Sequence, residues 1–364
     1  MDSRVVMHVD FDYFYVQCEE IRRPDLRPKP VCVCVYSDRG GDSGAVATAN
    51  YAARKYGAKS GMSIALAKRK LGGRDDAVFL PVDFAHYENI SETAMGVISG
   101  FADVFEYVGK DEAYLDVTGR TGGDFGRAGH LAQQIKNSVR DKAKIGCSVG
   151  VSPNKLVSKI ASDYQKPDGL TIVSKEKVEE FLDPLEIRDI PGIGSKTEKR
   201  LAEMNLKTIQ DLKSLGIFDL NEEFGRKNGT YIYNAARGKD ENPVSKRDAQ
   251  IQYSRISTLK KDSREYGFLA EYLRHMCEDV HRTVSENNQM FRSVGIHFVQ
   301  SDMSVRSKSR MLRAPTMSLE ELQRCVDGLL KEALESQKTD IRRLGVRVSE
   351  LTEVRGQSDI TSYF

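Results

Sequence analysis

Apolar and polar positions divide the first 170 residues into short strands and amphipathic helices. The run from Val5 to Val9 is rich in β-branched residues and ends at Asp10, which predicts a buried strand. A Gly109–Lys110 turn joins two strand-like runs within 104–117, which predicts a hairpin. The other patterns predict strands at 31–36, 78–83 and 147–152 and helices at 13–21, 84–101, 127–143 and 153–164. This order predicts an α+β sheet with helices on one side, and the segment from about 14 to 80 as a small insertion in it.

The pattern changes at about residue 171. The segment from there to 237 is mostly helical, and residues 238–247 are polar, charged and aperiodic, which predicts a linker. The rest has the order βαββαβ, with strands at 251–259, 291–300, 305–313 and 341–349 and helices at 265–287 and 318–336. That order predicts a four-stranded sheet with two helices on one face, whose opposite face meets solvent or a ligand.

Composition indicates a globular chain of two to four domains, with 40% hydrophobic and 30% charged residues. No window holds the roughly 18 apolar residues of a membrane span, and no signal peptide is visible. The six cysteines lack paired spacing, which favours buried reduced thiols over zinc ligands or disulfides. We therefore expect a cytoplasmic protein without a membrane partner, and the net charge of +2 does not by itself indicate nucleic acid.

Three carboxylates form the central candidate site. Asp10 ends the first strand, and Asp111 and Glu112 follow the hairpin turn. Carboxylates from two strands can hold two divalent cations about 3.5–4 Å apart, the arrangement used for phosphoryl and nucleotidyl transfer. Asp111 and Glu112 reach one site only if the chain bends, which Gly109 permits. Asp12 is interpreted as a helix N-cap outside this site.

Two further segments have features of phosphate-binding sites. Tyr51 and Arg54 are three residues apart on one helical face, and Arg54 could clamp a phosphate, although an arginine on a helix is usually a solvated charge. The small residues at 42–49 either permit close packing or leave room for a flat ligand. Gly192 and Gly194 open a helix that carries Lys196, which is the helix-hairpin-helix pattern for binding a DNA backbone rather than an ordinary interhelical turn.

Cations cluster on the strands of the C-terminal sheet. Arg306, Lys308 and Arg310 alternate along one strand and so share a face. A cationic open face suits a duplex backbone, whereas the alternative is solubilising surface charge. Further positive charge comes from neighbouring strands, at Arg255, Arg342, Arg343 and Arg347.

The terminal sequence GQSDITSYF has no core of its own but ends in apolar residues. One helical turn would present Ile360, Tyr363 and Phe364 as an apolar plug, with Gln357 beside it.

Five motifs in one order identify a family. The sequences DFDYFY (10–15), SGAVATANYAARKYG (43–57), DEAYLD (111–116), KPDG (166–169) and DIPGIG (189–194) resemble the Y-family DNA polymerases of the DinB, archaeal polymerase IV branch. The resemblance spans nearly the whole chain. It implies a right-hand polymerase with a palm (1–13 and 78–170), fingers (14–77), a helical thumb (171–237), a linker (238–247), a βαββαβ little finger (248–350) and a tail (351–364).

The resemblance also implies roles for residues at the motif positions. Asp10, Asp111 and Glu112 would hold two Mg²⁺ ions, with the Phe11 carbonyl reaching one of them. Tyr15 would be the steric gate that rejects a ribose 2′-hydroxyl, and Ala45 would lie over the nascent base pair. The triphosphate of a dNTP would be held by Tyr51, Arg54 and Lys166, with Thr48. The tail would be a PIP box that binds the sliding clamp PCNA through Gln357, Ile360, Tyr363 and Phe364.

The implied function is template-directed addition of dNTPs to a primer 3′-OH by a monomer, with low fidelity and bypass of damaged bases. The family usually has Ser two residues before the Asp-Glu pair, where this chain has Gly109. One alternative is a nucleotide cyclase, which can use the same palm and metals but has no need for a DNA-binding hairpin, a basic sheet or a clamp tail. The GGDF at 122–125 resembles the signature of cyclic-nucleotide synthases, but it lies in a Gly-rich loop rather than at a hairpin tip. The other is a DNA- and clamp-binding scaffold without chemistry, against which the intact acids argue.

Overall fold

The computed structural model describes residues 4–246, 250–336 and 338–353. Contacts divide the chain into two compact units. The first comprises the described parts of 1–34, 46–62 and 66–248, and the second those of 35–45, 63–65 and 249–364. The predicted clamp-binding residues, Gln357, Ile360, Tyr363 and Phe364, lie outside the described residues.

The regular elements follow the predicted order closely. The strands are β1 (Val6–Phe11), β2 (Val31–Tyr36), β3 (Gly44–Ala49), β4 (Val78–Pro81), β5 (Val104–Tyr107), β6 (Glu112–Asp116), β7 (Cys147–Ser152), β8 (Leu170–Ile172), β9 (Gln252–Ser263), β10 (Gln289–Gln300), β11 (Val305–Thr316), β12 (Ile341–Ser349) and β13 (Thr352–Glu353). The helices are α1 (Phe14–Arg22), α2 (Tyr51–Arg54), α3 (Ile64–Lys70), α4 (Phe84–Ser99), α5 (Thr118–Thr121), α6 (Phe125–Ala143), α7 (Lys155–Tyr164), α8 (Val178–Leu182), α9 (Ser195–Glu203), α10 (Ile209–Leu212), α11 (Ile217–Ala236), α12 (Tyr266–Glu286) and α13 (Leu319–Ser336).

A five-stranded sheet in the order β5-β6-β1-β7-β8 organises the first unit. Alternation along β1 sends Met7, Val9 and Phe11 into the main core, which α4 and α6 also line. The expectation of helices on one side only is wrong, because α7 packs on the opposite face of the sheet. Gly150 permits this approach, since a Cβ there would lie 2.0 Å from the Ser158 carbonyl oxygen.

The run of small residues after 42 forms a strand rather than only leading into a helix. It lies in a three-stranded sheet in the order β3-β2-β4. At Gly44 the close-packing interpretation applies, because a Cβ would lie 2.2 Å from the Val35 carbonyl oxygen. The following helix is the single turn α2, whose N-cap Asn50 accepts a hydrogen bond from the Ala53 amide at 3.0 Å.

The segment 171–237 is mostly helical, as predicted, and has its own core. Gly192 takes the left-handed conformation with φ 84°, and Gly194 is the N-cap of α9 without a side-chain capping bond. The first-turn amides of α9 are therefore not occupied by a capping side chain. Helix α11 is broken at Gly225, where φ is 76°, so it consists of two shorter helices.

The predicted linker lacks regular structure over 241–246 but is held against the sheet of the first unit. Val244 packs with Val6 and Tyr114. The Asn242 carbonyl accepts a hydrogen bond from Arg4 at 2.6 Å, and the Ser245 amide donates to Glu106 at 3.0 Å.

The second unit contains a four-stranded sheet, as the βαββαβ pattern predicts, and its strand order is β11-β10-β12-β9. Helices α12 and α13 cover one face, where Val294, Ile296 and Phe298 of β10 are buried. Directly opposite residues on paired strands point to the same face of a sheet. A residue that stands opposite a buried residue of β10 therefore lies on the helix-covered face, and the residues between lie on the open face.

The register shows that most of the cations are not on the open face, which corrects the expectation. Arg310, Lys308 and Arg306 do share a face, but they stand opposite the buried Val294, Ile296 and Phe298. Arg310 also pairs with Glu332 of α13. Likewise Arg255 stands opposite the buried Val346 and donates to Thr283 of α12 at 3.0 Å. Alternation along a strand shows that alternate residues share a face of the sheet, but it does not show whether that face is open or covered by helices.

Among the predicted cations, those on the open face belong to β12. Arg347 and Arg343 stand opposite Gly295 and Val299 of β10, away from the helices. Arg342 lies at a register irregularity beside Arg343. His297 lies between them on the same face, and its ring is close enough to Gly345 that a Cβ there would approach it to 2.3 Å.

Three smaller predictions can be checked in the described residues. All six cysteines are buried free thiols. The GGDF sequence is a helix start, where Asp124 caps α6 by accepting a hydrogen bond from the Arg127 amide at 2.6 Å. Within the described ranges, no helix is both long enough and apolar enough to cross a membrane.

Candidate active site

The acidic site forms where β1 and β6 end side by side. The antiparallel register places Asp10 directly opposite Glu112. Ligand atoms of His8, Asp10 and Glu112 all lie within 4.8 Å of one another. Asp111 is at the turn before β6, where its carbonyl accepts a hydrogen bond from the Phe11 amide at 2.8 Å. Its carboxylate is not a member of that close group, but Glu112, Lys166 and Lys159 act on it electrostatically.

The acids of this site differ in their affinity for protons. Burial raises the pKa of Asp10, and Lys166 opposes this shift. Desolvation by the surrounding protein also raises the pKa of Asp111, with a further contribution from the neighbouring Glu112. The pKa of Glu112 is lowered to about 2, first by a hydrogen bond from His8 and then by Lys159 against the effect of burial. The site thus holds negative charge close together, which a cation would stabilise.

Lys166 lies at the acids rather than in open solvent. Its ammonium is 2.6 Å from Asp10 and 2.7 Å from Asp163. Burial alone would lower the pKa of Lys166, but the two carboxylates outweigh it and the net shift is upward. Lys166 therefore stays charged at neutral pH.

The turn that carries Lys166 is attached to α6 and to the sheet by buried polar groups. Lys136, which is only 5% exposed, donates to the carbonyls of Asp168 and Gly169. Asp12 accepts from the Asp168 amide and from Ser148, each at 2.8 Å. The N-cap interpretation of Asp12 is wrong, because Tyr13 is the N-cap of α1 and no side chain caps it. Asp12 instead connects the end of β1 to the turn.

Two of the side chains predicted for the triphosphate, Tyr51 and Arg54, lie together on α2. The Arg54 guanidinium stacks 4.7 Å from the centre of the Tyr51 ring and donates to the Ala49 carbonyl at 2.8 Å. The Tyr51 hydroxyl oxygen is buried, and no group of the described residues forms a hydrogen bond with it. A buried hydroxyl normally has a partner, so this one is suited to a ligand oxygen. Thr48 is half-buried on β3, and Ala45 is exposed on the same strand.

Tyr15 is held by an aromatic stack. Its ring lies 4.6 Å from that of Tyr87 at an interplanar angle of 18°, and Phe84 contacts it edge-on at 6.1 Å. Tyr87 is fully buried and donates to Glu19 at 2.7 Å. The position of the Tyr15 ring is therefore determined by the core behind it.

Gly109 leaves the hairpin turn intact. Its amide donates to the Glu112 carbonyl at 3.1 Å, and the Ser91 hydroxyl donates to the Lys110 carbonyl at 2.6 Å. A Cβ at position 109 would lie 3.5 Å from Asp111 Oδ1, an ordinary contact.

Sequence reasoning missed three residues around Glu112, of which two contact it directly and the third contacts it through His8. They are His8, Lys159 and Ser162. His8 could have been found, because it precedes Asp10 by two residues on a strand and so shares its face. Lys159 and Ser162 are three apart on α7, but nothing in the sequence indicates that α7 covers this face.

The donor set fits hard divalent cations. Asp10, Asp111 and Glu112 offer carboxylate oxygens, the ligands that Mg²⁺ prefers, and the backbone carbonyl of Phe11, the next residue after Asp10 on β1, is a further oxygen donor. Lys166 contacts Asp10, and Tyr51, which stacks with Arg54, interacts electrostatically with both Lys166 and Asp10. These three side chains are therefore available to a phosphate chain bound beside the acids. This arrangement suits transfer of a nucleotidyl group.

Family models match the chain along most of its length. The model described as the impB/mucB/samB family matches residues 9–163. The DNA polymerase-iota thumb domain matches 188–240, and the impB/mucB/samB family C-terminal domain matches 250–361.

Full-length relatives and solved structures agree with these matches. The chain is 67% identical to DNA polymerase IV of Nitrosopumilus maritimus and 39% identical to that of Methanosarcina acetivorans, with 100% of each chain covered. It is similar to a Y-family DNA polymerase chimera with a TM-score of 0.89 at 34% identity, covering 96% of this chain and 99% of that one. The insertion ternary complex of Dbh DNA polymerase matches with a TM-score of 0.69 at 34% identity, with 96% and 99% covered.

Proposed function

The chain belongs to the impB/mucB/samB family of Y-family DNA polymerases, in its DNA polymerase IV branch, and from this premise we propose how its residues carry out the reaction. The predicted fold class, a right-hand polymerase with a βαββαβ little finger, is confirmed by the structural matches. The protein is a template-directed, translesion DNA polymerase that binds primer–template DNA and dNTPs and uses a divalent metal. The predicted domain boundaries are part of the proposal.

The proposed metal is Mg²⁺, two ions per site, held by Asp10, Asp111 and Glu112 with the Phe11 carbonyl. When bound, these ions lower the pKa of the primer 3′-hydroxyl and neutralise charge on the phosphates. The observation that carries this assignment is the convergence of Asp10 and Glu112, which lie far apart in sequence, at paired strand ends. The motifs name no protein general base, so the chain contributes mainly positioning and electrostatics.

The remaining site residues bind the nucleotide. Lys166 would exchange its carboxylate partners for the triphosphate, which Arg54, Tyr51 and Thr48 also contact. Tyr15 excludes the ribose 2′-hydroxyl, and Ala45 lies over the nascent base pair. Small side chains at this position constrain the base pair weakly, which is consistent with low fidelity and with synthesis opposite damaged bases.

Two surfaces are proposed to bind the DNA backbone. Gly192, Gly194 and Lys196 at the start of α9 present amides and a cation that bind phosphate without reading sequence. On the little finger, Arg343 and Arg347 of the open face are the main candidates, with Arg342 beside them. Contacts of DNA with Arg255, Arg306, Lys308 and Arg310 stay predictions. Any such contact would be made on the helix-covered side of the sheet, where these four residues lie.

The tail is proposed to bind the sliding clamp PCNA through Gln357, Ile360, Tyr363 and Phe364, on the strength of its sequence alone. Clamp binding would supply the processivity that an open active site lacks. We further propose that the protein works as a monomer in the cytoplasm, where its six free thiols stay reduced.

Primer extension tests the function directly. With Mg²⁺, four dNTPs and a labelled primer, we expect full extension on an undamaged template and products that pass an abasic site. Nucleotide incubated without DNA is the control and should yield no cyclic product. Absence of extension, or a stall at the abasic site equal to that of a replicative polymerase, would contradict the proposal.

Salt dependence of DNA binding tests the little-finger assignment. The slope of log affinity against log salt is negative, and each lost phosphate contact reduces its magnitude by about 0.9. We therefore expect the double variant Arg343→Ala/Arg347→Ala to reduce the magnitude of the slope by about two. The matched double variant Arg306→Ala/Lys308→Ala also removes two charges from the same sheet but should change the slope by less. Equal changes would show that the open face is not the preferred DNA surface.

A further inference from the structure

His8 is fully buried directly behind the acidic site, and the chemistry described so far gives it no role. It precedes Asp10 on β1 by two residues and therefore shares its face. The register places Tyr114 and Gly150 on either side of it, and Glu112 is the next residue of that face on β6.

Two donors converge on one oxygen of Glu112. His8 Nε2 lies 3.2 Å from Glu112 Oε2, and Lys159 hydrogen-bonds to the same oxygen. The other ring nitrogen, His8 Nδ1, lies 2.7 Å from the Ser162 hydroxyl oxygen. Because both donors use Oε2, they orient the carboxylate so that Oε1 is the oxygen left for a further ligand.

A direct metal contact by His8 is the alternative that its position also suggests, since its ligand atom lies within 4.8 Å of those of Asp10 and Glu112. The charge around the ring opposes that role. The Lys159 ammonium lies 3.4 Å from His8 Nε2, where it would repel a cation. Hard divalent cations also prefer oxygen to imidazole nitrogen.

We propose that His8 is a positioning residue, which donates its Nε2–H to Glu112 Oε2 and is itself oriented by the Ser162 hydroxyl, so that Glu112 presents Oε1 to a divalent metal. This inference rests on the proposed function of the same site. Metal-binding side chains are commonly oriented by such outer hydrogen bonds.

The hydrogen-bond partners favour one tautomer of a ring that carries a single N–H. Nε2 faces the Glu112 carboxylate, which only accepts, at 3.2 Å, and the Lys159 ammonium, which only donates, lies farther away at 3.4 Å. Nδ1 faces a hydroxyl that can donate. The Ser162 hydroxyl has a second acceptor, the Lys159 carbonyl at 2.8 Å, but that carbonyl also lies within the hydrogen-bonded body of α7. The Nε2–H tautomer therefore pairs both ring nitrogens.

Two pairs of variants separate positioning from packing. His8→Phe keeps a ring against Tyr114, whose centre is 4.7 Å away, but removes both hydrogen bonds. His8→Gln restores a donor near the position of Nε2. Ser162→Ala removes the hydroxyl that contacts His8, and Ser158→Ala is its matched control. Ser158 is equally buried on α7, also bonds to the carbonyl three residues earlier, and lies one turn away.

The first measurement is Mn²⁺ binding by electron paramagnetic resonance without DNA or nucleotide. His8→Phe is expected to weaken binding about tenfold and Ser162→Ala to weaken it less, in line with other outer-layer substitutions. Ser158→Ala and His8→Gln should retain the wild-type affinity. In primer extension, the metal requirement of His8→Phe should rise by the same factor, with the KM for dNTP and the Kd for DNA unchanged.

Unchanged Mn²⁺ affinity in His8→Phe, with a wild-type enzyme that extends primers, would overturn the role of His8 alone. Failure of the wild type to extend primers would instead overturn the proposed function. If His8→Phe does not fold, two other measurements test the role of His8. One compares the Mn²⁺ affinities of Ser162→Ala and Ser158→Ala, and the other reads the tautomer of His8 from the histidine ring ¹⁵N spectrum of the wild type. A predominant Nδ1–H tautomer at His8, or equal Mn²⁺ affinities of the two serine variants, would contradict the inference.

Discussion

Replacing Asp111 by alanine is expected to abolish primer extension while the protein keeps its fold and its affinity for primer–template DNA. The side chain is exposed at the turn, and its backbone carbonyl, which bonds to the Phe11 amide at 2.8 Å, stays in the variant. A metal ligand contributes several kcal/mol of charge stabilisation, and 4 kcal/mol corresponds to about a thousandfold in rate. Single-turnover incorporation measures the rate, and fluorescence anisotropy of labelled DNA measures the affinity.

Asp116→Ala is the matched control for this experiment. Asp116 is a carboxylate on the same strand β6, but at its other end, where it stands opposite Val6 and lies 3.9 Å from Arg4. We expect its incorporation rate to equal that of the wild type. An Asp111→Ala variant with near-normal activity would remove the metal-site assignment, and a loss of thermal stability in it would show that the turn depends on the carboxylate.

Tyr15→Ala is expected to admit ribonucleotides. The Tyr15 ring cannot retreat from a 2′-hydroxyl, because Tyr87 stacks on it at 4.6 Å and is itself fully buried. Removing the ring opens the space that the hydroxyl needs. We expect the preference for dNTP over rNTP, as a ratio of kcat/KM values, to fall about a hundredfold, which corresponds to about 2.7 kcal/mol.

Tyr15→Phe serves as the control, because it keeps the ring and removes only the hydroxyl. Its exclusion of ribonucleotides should resemble that of the wild type. Tyr87→Leu removes the support behind the ring and should give an intermediate preference. Unchanged discrimination in Tyr15→Ala would contradict the assignment of the gate.

Local periodicity was sufficient to predict most elements. The strand predicted at 147–152 is Cys147–Ser152, and that predicted at 341–349 is Ile341–Ser349. Both are rich in β-branched residues, whose preference for extended backbone is local. The strand Gly44–Ala49 was missed because its small residues have no clear alternation, and its extended state depends on pairing with another strand.

The sequence by itself determined the order of the elements, the motifs of the family and the acids that end two separate strands. Only the tertiary structure decided what surrounds those acids and which surface the cations occupy. It set His8 and Lys159 on Glu112 because α7 packs over Gly150, and it placed Arg306, Lys308 and Arg310 beside the helices through their register with β10. Periodicity reports which side chains share a face, whereas strand register and helix packing, which involve residues far apart in sequence, decide what that face meets.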